Sequence, residues 1–376
     1  MKPILVGFDA TTLTGQISGV GGYTARLLQA LCAEVGRGAF GQLVVFSNRE
    51  IHFAGPPQVE VYTGRRFPVR SIWMQLVLPG ILREVRPEVV HFTNYLAPVL
   101  TDTPYVVSFH DMSLTLLPEA HTLKKRLLTA SLIPTVAKRA RRILVPSEST
   151  RRDVTRLLAV DPGRIRLVPY AASPLYRPLS AGPGPLARRG VRPPYFLYVG
   201  TIEPRKNLAR ALRAFGRIAP SLPDHQFVIV GQPGWKYGEV LREARKPDLA
   251  EKVVLTGYVP EEELPLLYNH AVALVYPSLY EGFGLPLIEA MACGTPVLTS
   301  SGSSLSEVAQ GAALFVDPLR EDELAEAMTT LATDERLRAD LRGRGFLRAA
   351  EFSWERTARA TIEVYREVAE EGPASA

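Results

Sequence analysis

At 376 residues and 46% hydrophobic content, the chain exceeds one ordinary core and fits two domains of common size; its 29 Gly, 31 Pro and 22% charged residues exclude a fibrous or disordered chain. Two cysteines, Cys32 and Cys293, are too few for a disulfide framework or a metal site and sit in apolar helical patterns, as buried thiols of a reducing compartment do. The net charge of +6 divides into +9 over residues 1–170 (21 Lys and Arg, 12 Asp and Glu) and −3 over residues 171–376 (23 and 26), which suits an anionic surface or acceptor for the first half, or a merely solubilising face.

The opening MKPILVGFDA meets Asp9 after a short apolar run. It reads as a first strand and not a secretory signal, so a cytoplasmic location is expected. No stretch approaches the roughly 18 uninterrupted apolar residues that a spanning helix needs. Six further β-like runs follow, QLVVF, VEVY, EVVHF, YVVSF, RILVP and IRLVP, with amphipathic stretches such as residues 23–35 between them. In SGVGGYTARLL, Gly19, Gly21 and Gly22 stand directly before the first of those helices. The run lacks the further Gly or Ala of a dinucleotide fingerprint, so alone it reads as a flexible turn or as a loop open to close ligand approach. His110, in VVSFHDMS, ends a strand, where a doubly wound domain presents ligand groups; a satisfied core histidine is the other reading. His91, at a similar strand end, is read as structural. Residues 123–142, LKKRLLTASLIPTVAKRARR, hold seven cations and no carboxylate. Pro134 is expected to kink or divide this stretch, which suits either an interfacial helix or a core-packed one with solvated ends.

Residues 169–194 contain seven prolines, which excludes a regular element and marks a linker. Beyond it YFLYVG, QFVIVG, KVVLTG, ALVYPS, PVLTS and ALFVD repeat the alternation of strand and helix. The expected fold class is therefore α/β with two parallel, doubly wound sheets, their ligand loops at the carboxyl ends of the strands. From about Ser353, Trp354, Ala358, Ile362 and Tyr365 or Val368 recur at helical spacing, a terminal helix whose place in sequence leaves open the domain it covers. The expected division is residues 1–170, a linker over 171–189, residues 190–352, and a terminal helix over 353–376 able to return to the first domain.

Two constellations carry chemistry. In PSLYEGFGLPLIEAMACGTPVLTS, Glu281 and Glu289 are separated by seven residues, with a glycine turn between them and Pro286 placed for a first helical turn. Phe283, Gly284 and Leu285 can present backbone N–H groups at that helix start to the oxygens of an anionic or hydroxylated ligand. The two carboxylates can accept hydrogen bonds from vicinal hydroxyl pairs; the plainer reading is a turn residue and a solvated helix position. In YVGTIEPRKNLARALRAF, Arg205 and Lys206 follow a strand and precede a helix that Asn207 can cap. Two cations beside a helix start suit a pyrophosphate, the lysine as a mobile point charge and the arginine as a planar fork.

The stretch from Pro277 to Ser300 resembles the E-x7-E signature of the retaining family-4 glycosyltransferases, and GTIEPRKN resembles that family's phosphate-binding segment. The resemblance extends over nearly the whole chain. It implies the GT-B architecture of two facing Rossmann-like domains, with a nucleoside-diphosphate sugar mainly on the second; the +9 balance of residues 1–170 puts the expected acceptor on the first. It implies that Arg205 and Lys206 hold the leaving diphosphate, that Glu281 binds the donor sugar and Glu289 the ribose, and that Phe283, Gly284 and Leu285 line the donor. Gly21 and Gly22 then face the diphosphate or acceptor, and His110 touches the donor sugar or steadies the reacting centre, with Asp111 orienting it. The opening segment and GTIEPRKN look most like bacterial mannosyltransferases. GDP-mannose is thus the first donor expected and a UDP-sugar the second, with no catalytic metal or other cofactor. The acceptor expected is a saccharide, lipid-linked, in cell-surface polysaccharide assembly, with the basic stretch at an anionic membrane. Rival readings are a nucleotide-sugar epimerase, a phosphorylase and a non-catalytic nucleotide-sugar-binding protein. A nicotinamide oxidoreductase lacks its complete glycine fingerprint. Nucleic-acid binding is disfavoured because the cations are not interleaved with aromatic residues.

Overall fold

The computed structural model describes residues 3–14, 19–51, 53, 55–63, 67, 69–121 and 132–372. In the first half, the apolar runs become β1 (Leu5–Asp9), β2 (Gln42–Ser47), β3 (Val59–Thr63), β4 (Val89–Phe92), β5 (Tyr105–Ser108), β6 (Arg142–Val145) and β7 (Ile165–Leu167). They pair in parallel in the order β3-β2-β1-β4-β5-β6-β7. In the second half, β8 (Tyr195–Val199), β9 (Gln226–Val230), β10 (Val253–Gly257), β11 (Ala273–Tyr276), β12 (Val297–Ser300) and β13 (Leu314–Val316) pair in parallel in the order β10-β9-β8-β11-β12-β13. Both orders are doubly wound, and the winding reverses between each sheet's first and fourth strands in sequence, the point outside which such sheets bind ligands.

Burial explains why the central strands read as unbroken apolar runs. Val6 and Phe8 of β1 and Leu43 and Val45 of β2 are fully enclosed, whereas Val61 and Tyr62 of the edge strand β3 are exposed. Helices cover both faces of a parallel sheet, so its inner strands have no solvent side.

The first compact unit comprises Met1–Met112, Leu123–Tyr170 and Ser353–Ala376; the second comprises Ser113–Thr122 and Ala171–Phe352. The terminal helix Trp354–Glu371 belongs to the first, where it lies along helix Val20–Gly36 and touches β4 and β5. It buries Ala358, Ile362, Tyr365 and Val368 there. Glu367 on its outer side accepts from Arg142 at 3.1 Å and Arg166 at 2.8 Å.

Three details depart from the sequence-based expectations. Helix Val20–Gly36 already contains Gly21 and Gly22, because Gly19 takes the left-handed cap position (φ +50) and lets the helix begin before the glycine pair. Residues 171–189, expected as a linker, group with the second unit, and Gly184–Arg189 forms a 3-10 helix with Pro185 in its first turn, where a missing N–H is tolerated. Pro134 lies within helix Leu132–Arg139; the earlier part of the basic stretch, residues 123–131, lies outside the described residues. Ser113–Thr122 leaves the first unit: the Lys236 ammonium donates to the Glu119 carbonyl at 2.9 Å and the His121 ring lies 5.6 Å from Trp235. Contacts made at more than 100 residues' separation leave no local signal.

Candidate active site

In the second unit the reversal of winding sets β8 beside β11, with Ala273 opposite Phe196 and Leu274 opposite Leu197. The loops leaving both strands are thereby brought together at one carboxyl edge. Residues 200–207 carry Arg205 and Lys206, and residues 277–284 carry Glu281. The Leu279 N–H donates to the Arg205 carbonyl at 2.8 Å. Asn207 stands at the cap position of helix Leu208–Ile218, but in the left-handed region (φ +60) and without the side-chain cap the sequence suggests. Its amide donates instead to the carbonyls of Pro277 (3.2 Å) and Pro318 (2.6 Å), so it ties the two loops to each other and to the turn after β13.

Between these loops lies a compact ion cluster. The Arg205 guanidinium meets Glu203 at 2.5 Å through Nε and Glu281 Oε2 at 2.7 Å through Nη1, which also donates to the Tyr280 carbonyl at 3.0 Å. The Lys206 ammonium donates to Glu281 Oε1 at 2.5 Å and to the Tyr276 hydroxyl at 2.7 Å. The Tyr276 ring stacks on Tyr198 at 5.7 Å. Each oxygen of Glu281 thus faces a cation. Burial alone would push its carboxyl upward, but Arg205 and Lys206 outweigh burial and hold it down to about 2. Lys206 is also pushed down, first by burial and then by the like charge of Arg205, which together exceed the pull of Glu281 and Glu203. The carboxylate is therefore firmly ionised, while the ammonium is the strained member of the pair.

Hydroxyls hold the Glu281 loop. Thr299 Oγ1 donates to the Tyr276 carbonyl at 2.9 Å, Ser300 Oγ to Ser278 at 2.6 Å and Ser304 Oγ to Glu281 at 2.9 Å, while the Glu281 N–H donates to Ser303 Oγ at 3.2 Å. Gly284 caps helix Leu285–Cys293 at φ +96, and a Cβ there would sit 2.7 Å from Leu305 Cδ2. Phe283 is buried edge-on against Phe352 at 5.7 Å, and Leu285 is half-buried at the helix start. Glu289, half-buried further along that helix, accepts from the Tyr268 hydroxyl at 2.8 Å. The fold therefore joins Arg205, Lys206 and Glu281 directly, and sets Glu289 against a different partner.

His110 belongs to the first unit, two residues past the end of β5. Its Nε2 lies 2.8 Å from the Thr93 carbonyl and its Nδ1 2.6 Å from the Tyr170 hydroxyl. Burial lowers its pKa, with Thr93 and Asp111 opposing. His91 is enclosed between the Tyr365 hydroxyl (2.7 Å) and Ser108 Oγ (2.8 Å), and burial, aided by His110, pushes it down to about 3. It is a neutral structural histidine. Sequence reading missed Glu203, Tyr276 and the Ser303–Ser304 pair; Glu203 alone had a local signal, a carboxylate two residues before Arg205.

Over residues 17–172 the chain matches the family model described as Glycosyltransferase Family 4, and over residues 188–348 that described as Glycosyl transferases group 1. O-antigen chain mannosyltransferase B of Escherichia coli is 32% identical over 336 residues, 87% of this chain and 83% of that protein. The chain belongs to glycosyltransferase family 4. This transferase is an enzyme of the hexosyltransferase class, and its two parallel α/β units are those of a GT-B glycosyltransferase. Sucrose-phosphate synthase from Thermosynechococcus elongatus shares that fold at TM-score 0.79 and 20% identity, covering 99% of this chain and 100% of that one. Anabaena Alr3699/HepE, solved in complex with UDP and glucose, does so at TM-score 0.75 and 17% identity, covering 96% and 99%. In the transferase, the first match contains Gly21, Gly22 and His110, and the second contains Arg205, Lys206, Glu281 and Glu289. Among the described residues no helix is long and apolar enough to cross a membrane, and no group of three His, Cys, Asp or Glu could hold a metal ion.

Proposed function

We propose that the transferase moves a hexose, mannose in the first instance, from a nucleoside-diphosphate sugar to a saccharide acceptor, with retention at the anomeric carbon and without a catalytic metal. The carrying observation is the cluster of Arg205, Lys206 and Glu281, assembled from two loops at the reversal point of the second sheet. A half-buried and a buried cation held by carboxylates form a site that an incoming diphosphate can enter by competing for the cations. Arg205 then places its fork on the phosphate oxygens while Glu203 keeps the guanidinium oriented. Lys206, destabilised as a buried ammonium, gains from a second anion. As the glycosidic bond breaks, both cations stabilise the charge on the departing diphosphate, the work a divalent ion would otherwise do. Glu281, relieved of one cation, can accept from donor-sugar hydroxyls, and Glu289 from the ribose pair. Phe283, Gly284 and Leu285 line the donor beside them. In the first unit, Gly21 and Gly22 leave the start of their helix open to close approach, and His110 steadies the reacting centre.

GDP-mannose is the preferred donor because the Escherichia coli relative is a mannosyltransferase; a UDP-sugar is second, since Alr3699/HepE is solved with UDP and glucose. The O-antigen setting of the former also favours a lipid-linked saccharide acceptor in cell-surface polysaccharide assembly, made at the cytoplasmic face of a membrane. A thermal-shift panel of sugar nucleotides tests the donor: GDP-mannose should stabilise the protein with chelator present, and stabilisation by UDP but not GDP would overturn that choice. Turnover of the bound donor separates a transferase from a nucleotide-sugar-binding protein, and release of free nucleoside diphosphate separates it from an epimerase.

A further inference from the structure

Tyr170 is the last residue of the first unit before the chain passes to the second, and Trp354 is the second residue after it returns. Inside the first unit these two points are fastened together. Their rings lie parallel, 6.3 Å apart with 9° between planes, and Thr357 Oγ1 donates to the Pro169 carbonyl at 2.7 Å. Tyr23 packs against Tyr170 at 4.6 Å and against His110 at 4.8 Å. Three aromatic rings from three distant parts of the chain therefore fix one hydroxyl, that of Tyr170, on His110 Nδ1.

The other ring nitrogen determines what that contact means. The Thr93 carbonyl can only accept, so Nε2 must carry a proton. Burial disfavours the cation, which leaves Nδ1 bare and makes the Tyr170 hydroxyl its donor. A ring tautomer is set in this way by the partner of the opposite nitrogen. Thr93 is in turn held by its hydroxyl, which donates to the Asp9 carbonyl at 2.9 Å. The imidazole spans a fixed path from the end of β1 to the residue at which the chain leaves the unit.

From this geometry we infer that Tyr170 is a positioning residue for His110, its hydroxyl holding the imidazole as the Nε2–H tautomer in one orientation for transfer. The inference rests on the role of His110 in the proposed function, and its test separates the two. Nitrogen NMR of histidine-labelled wild-type protein at neutral pH should show His110 Nδ1 unprotonated and Nε2 protonated; the opposite tautomer would overturn the inference whatever the reaction. Tyr170→Phe keeps the ring and removes only the hydroxyl. It should lower kcat for hydrolysis of GDP-mannose, or of the UDP-sugar that binds in its place, by about 10-fold to 100-fold, the scale of a misplaced active-site group. Donor KM should stay within about 2-fold, because the donor contacts proposed above lie mainly on the second unit. In a His110→Ala background the same change should have no further effect, since a residue acting through His110 has nothing left to position. An equal fall in both backgrounds would overturn the inference alone. Full activity of His110→Ala would overturn the role of His110 itself, and with it the kinetic part of the inference.

Discussion

Glu281 shows how one buried carboxylate can organise a site of opposite charges. Its pKa drops from an ordinary 4.5 to about 2 on folding, so it stabilises the native state above pH 4.5 and that contribution disappears as pH falls toward 2. Glu281→Gln leaves the buried Lys206 and the half-buried Arg205 with one partner fewer and should destabilise the second unit by about 3–5 kcal/mol at neutral pH. Acid titration of unfolding free energy should show the gap between wild type and variant narrowing below pH 4.5, as the wild-type carboxylate takes up its proton; a gap independent of pH would refute the assignment. Glu289 offers a contrasting case. Glu289→Ala should weaken binding of GDP-mannose by about 1–3 kcal/mol if the carboxylate receives the ribose. It also deprives the Tyr268 hydroxyl of its acceptor, so stability falls as well. Tyr268→Phe is the control for that second effect, and should keep donor affinity by calorimetry. Unchanged affinity in Glu289→Ala would remove the ribose contact. The free cysteines need no chemical role, since burial pushes Cys32 up to about 11 and Cys293 up to about 12, well away from a reactive thiolate.

At the scale of elements, the decisive piece is the turn into helix Leu285–Cys293. Pro286 in the first helical turn and a glycine just before it were legible as a helix start, and the helix begins there. The need for glycine specifically at 284 was not legible, because it comes from φ +96 and from Leu305, 21 residues away in another helix. Gly284→Ala should therefore cost about 1–3 kcal/mol, from left-handed strain and the close Cβ contact together. Denaturant unfolding measures it, and a loss below about 0.5 kcal/mol, ordinary for a surface site, would mean the turn relaxes freely. Asn207 teaches the complementary lesson. Its position before a helix suggested a cap, yet its amide is drawn to Pro277 and Pro318, because tertiary carbonyls offered it two acceptors while the left-handed backbone turned it away from its own helix.

For the whole molecule, charge is the property that local reading treats least well. The +9 excess of residues 1–170 suggested an anionic leaflet, with Lys124, Lys125, Arg126, Lys138, Arg139, Arg141 and Arg142 as its contacts. Three of these are engaged within the first unit: Arg139 donates to the Thr101 carbonyl at 2.9 Å, Arg141 to that of Gly372 at 3.1 Å, and Arg142 pairs with Glu367 and Glu371. Lys138 is exposed, Lys124, Lys125 and Arg126 lie outside the described residues, and we propose that membrane attraction, at roughly 1 kcal/mol for each cation near the surface, rests mainly on the latter three. Flotation with anionic liposomes at low salt, reversed at high salt and abolished by changing all three to Gln, is the expected result. Protein that fails to float at low salt, or a triple variant that floats as well as wild type, would end the interfacial reading and leave the donor site untouched.

Every strand of both sheets was legible from the chain alone: an inner strand, covered by helices on both faces, must be an apolar run, and the edge strands, though partly exposed, keep enough apolar or β-branched residues to stand out. The residue types of the site were legible for a related reason: diphosphates and sugar hydroxyls demand cations, carboxylates and open backbone at loop positions, and these stand out against apolar strands. Only the tertiary structure decided which of them meet. Arg205 and Glu281 touch because strand order, and not sequence, makes β8 and β11 neighbours. His110 is held between the carbonyl of Thr93, 17 residues back, and the hydroxyl of Tyr170, 60 residues further on. The terminal helix covers the first unit because its apolar stripe, complete in sequence, matches the surface left by helix Val20–Gly36, β4 and β5. A pattern of side chains specifies that a face will be buried; the shape of the rest of the fold selects what buries it.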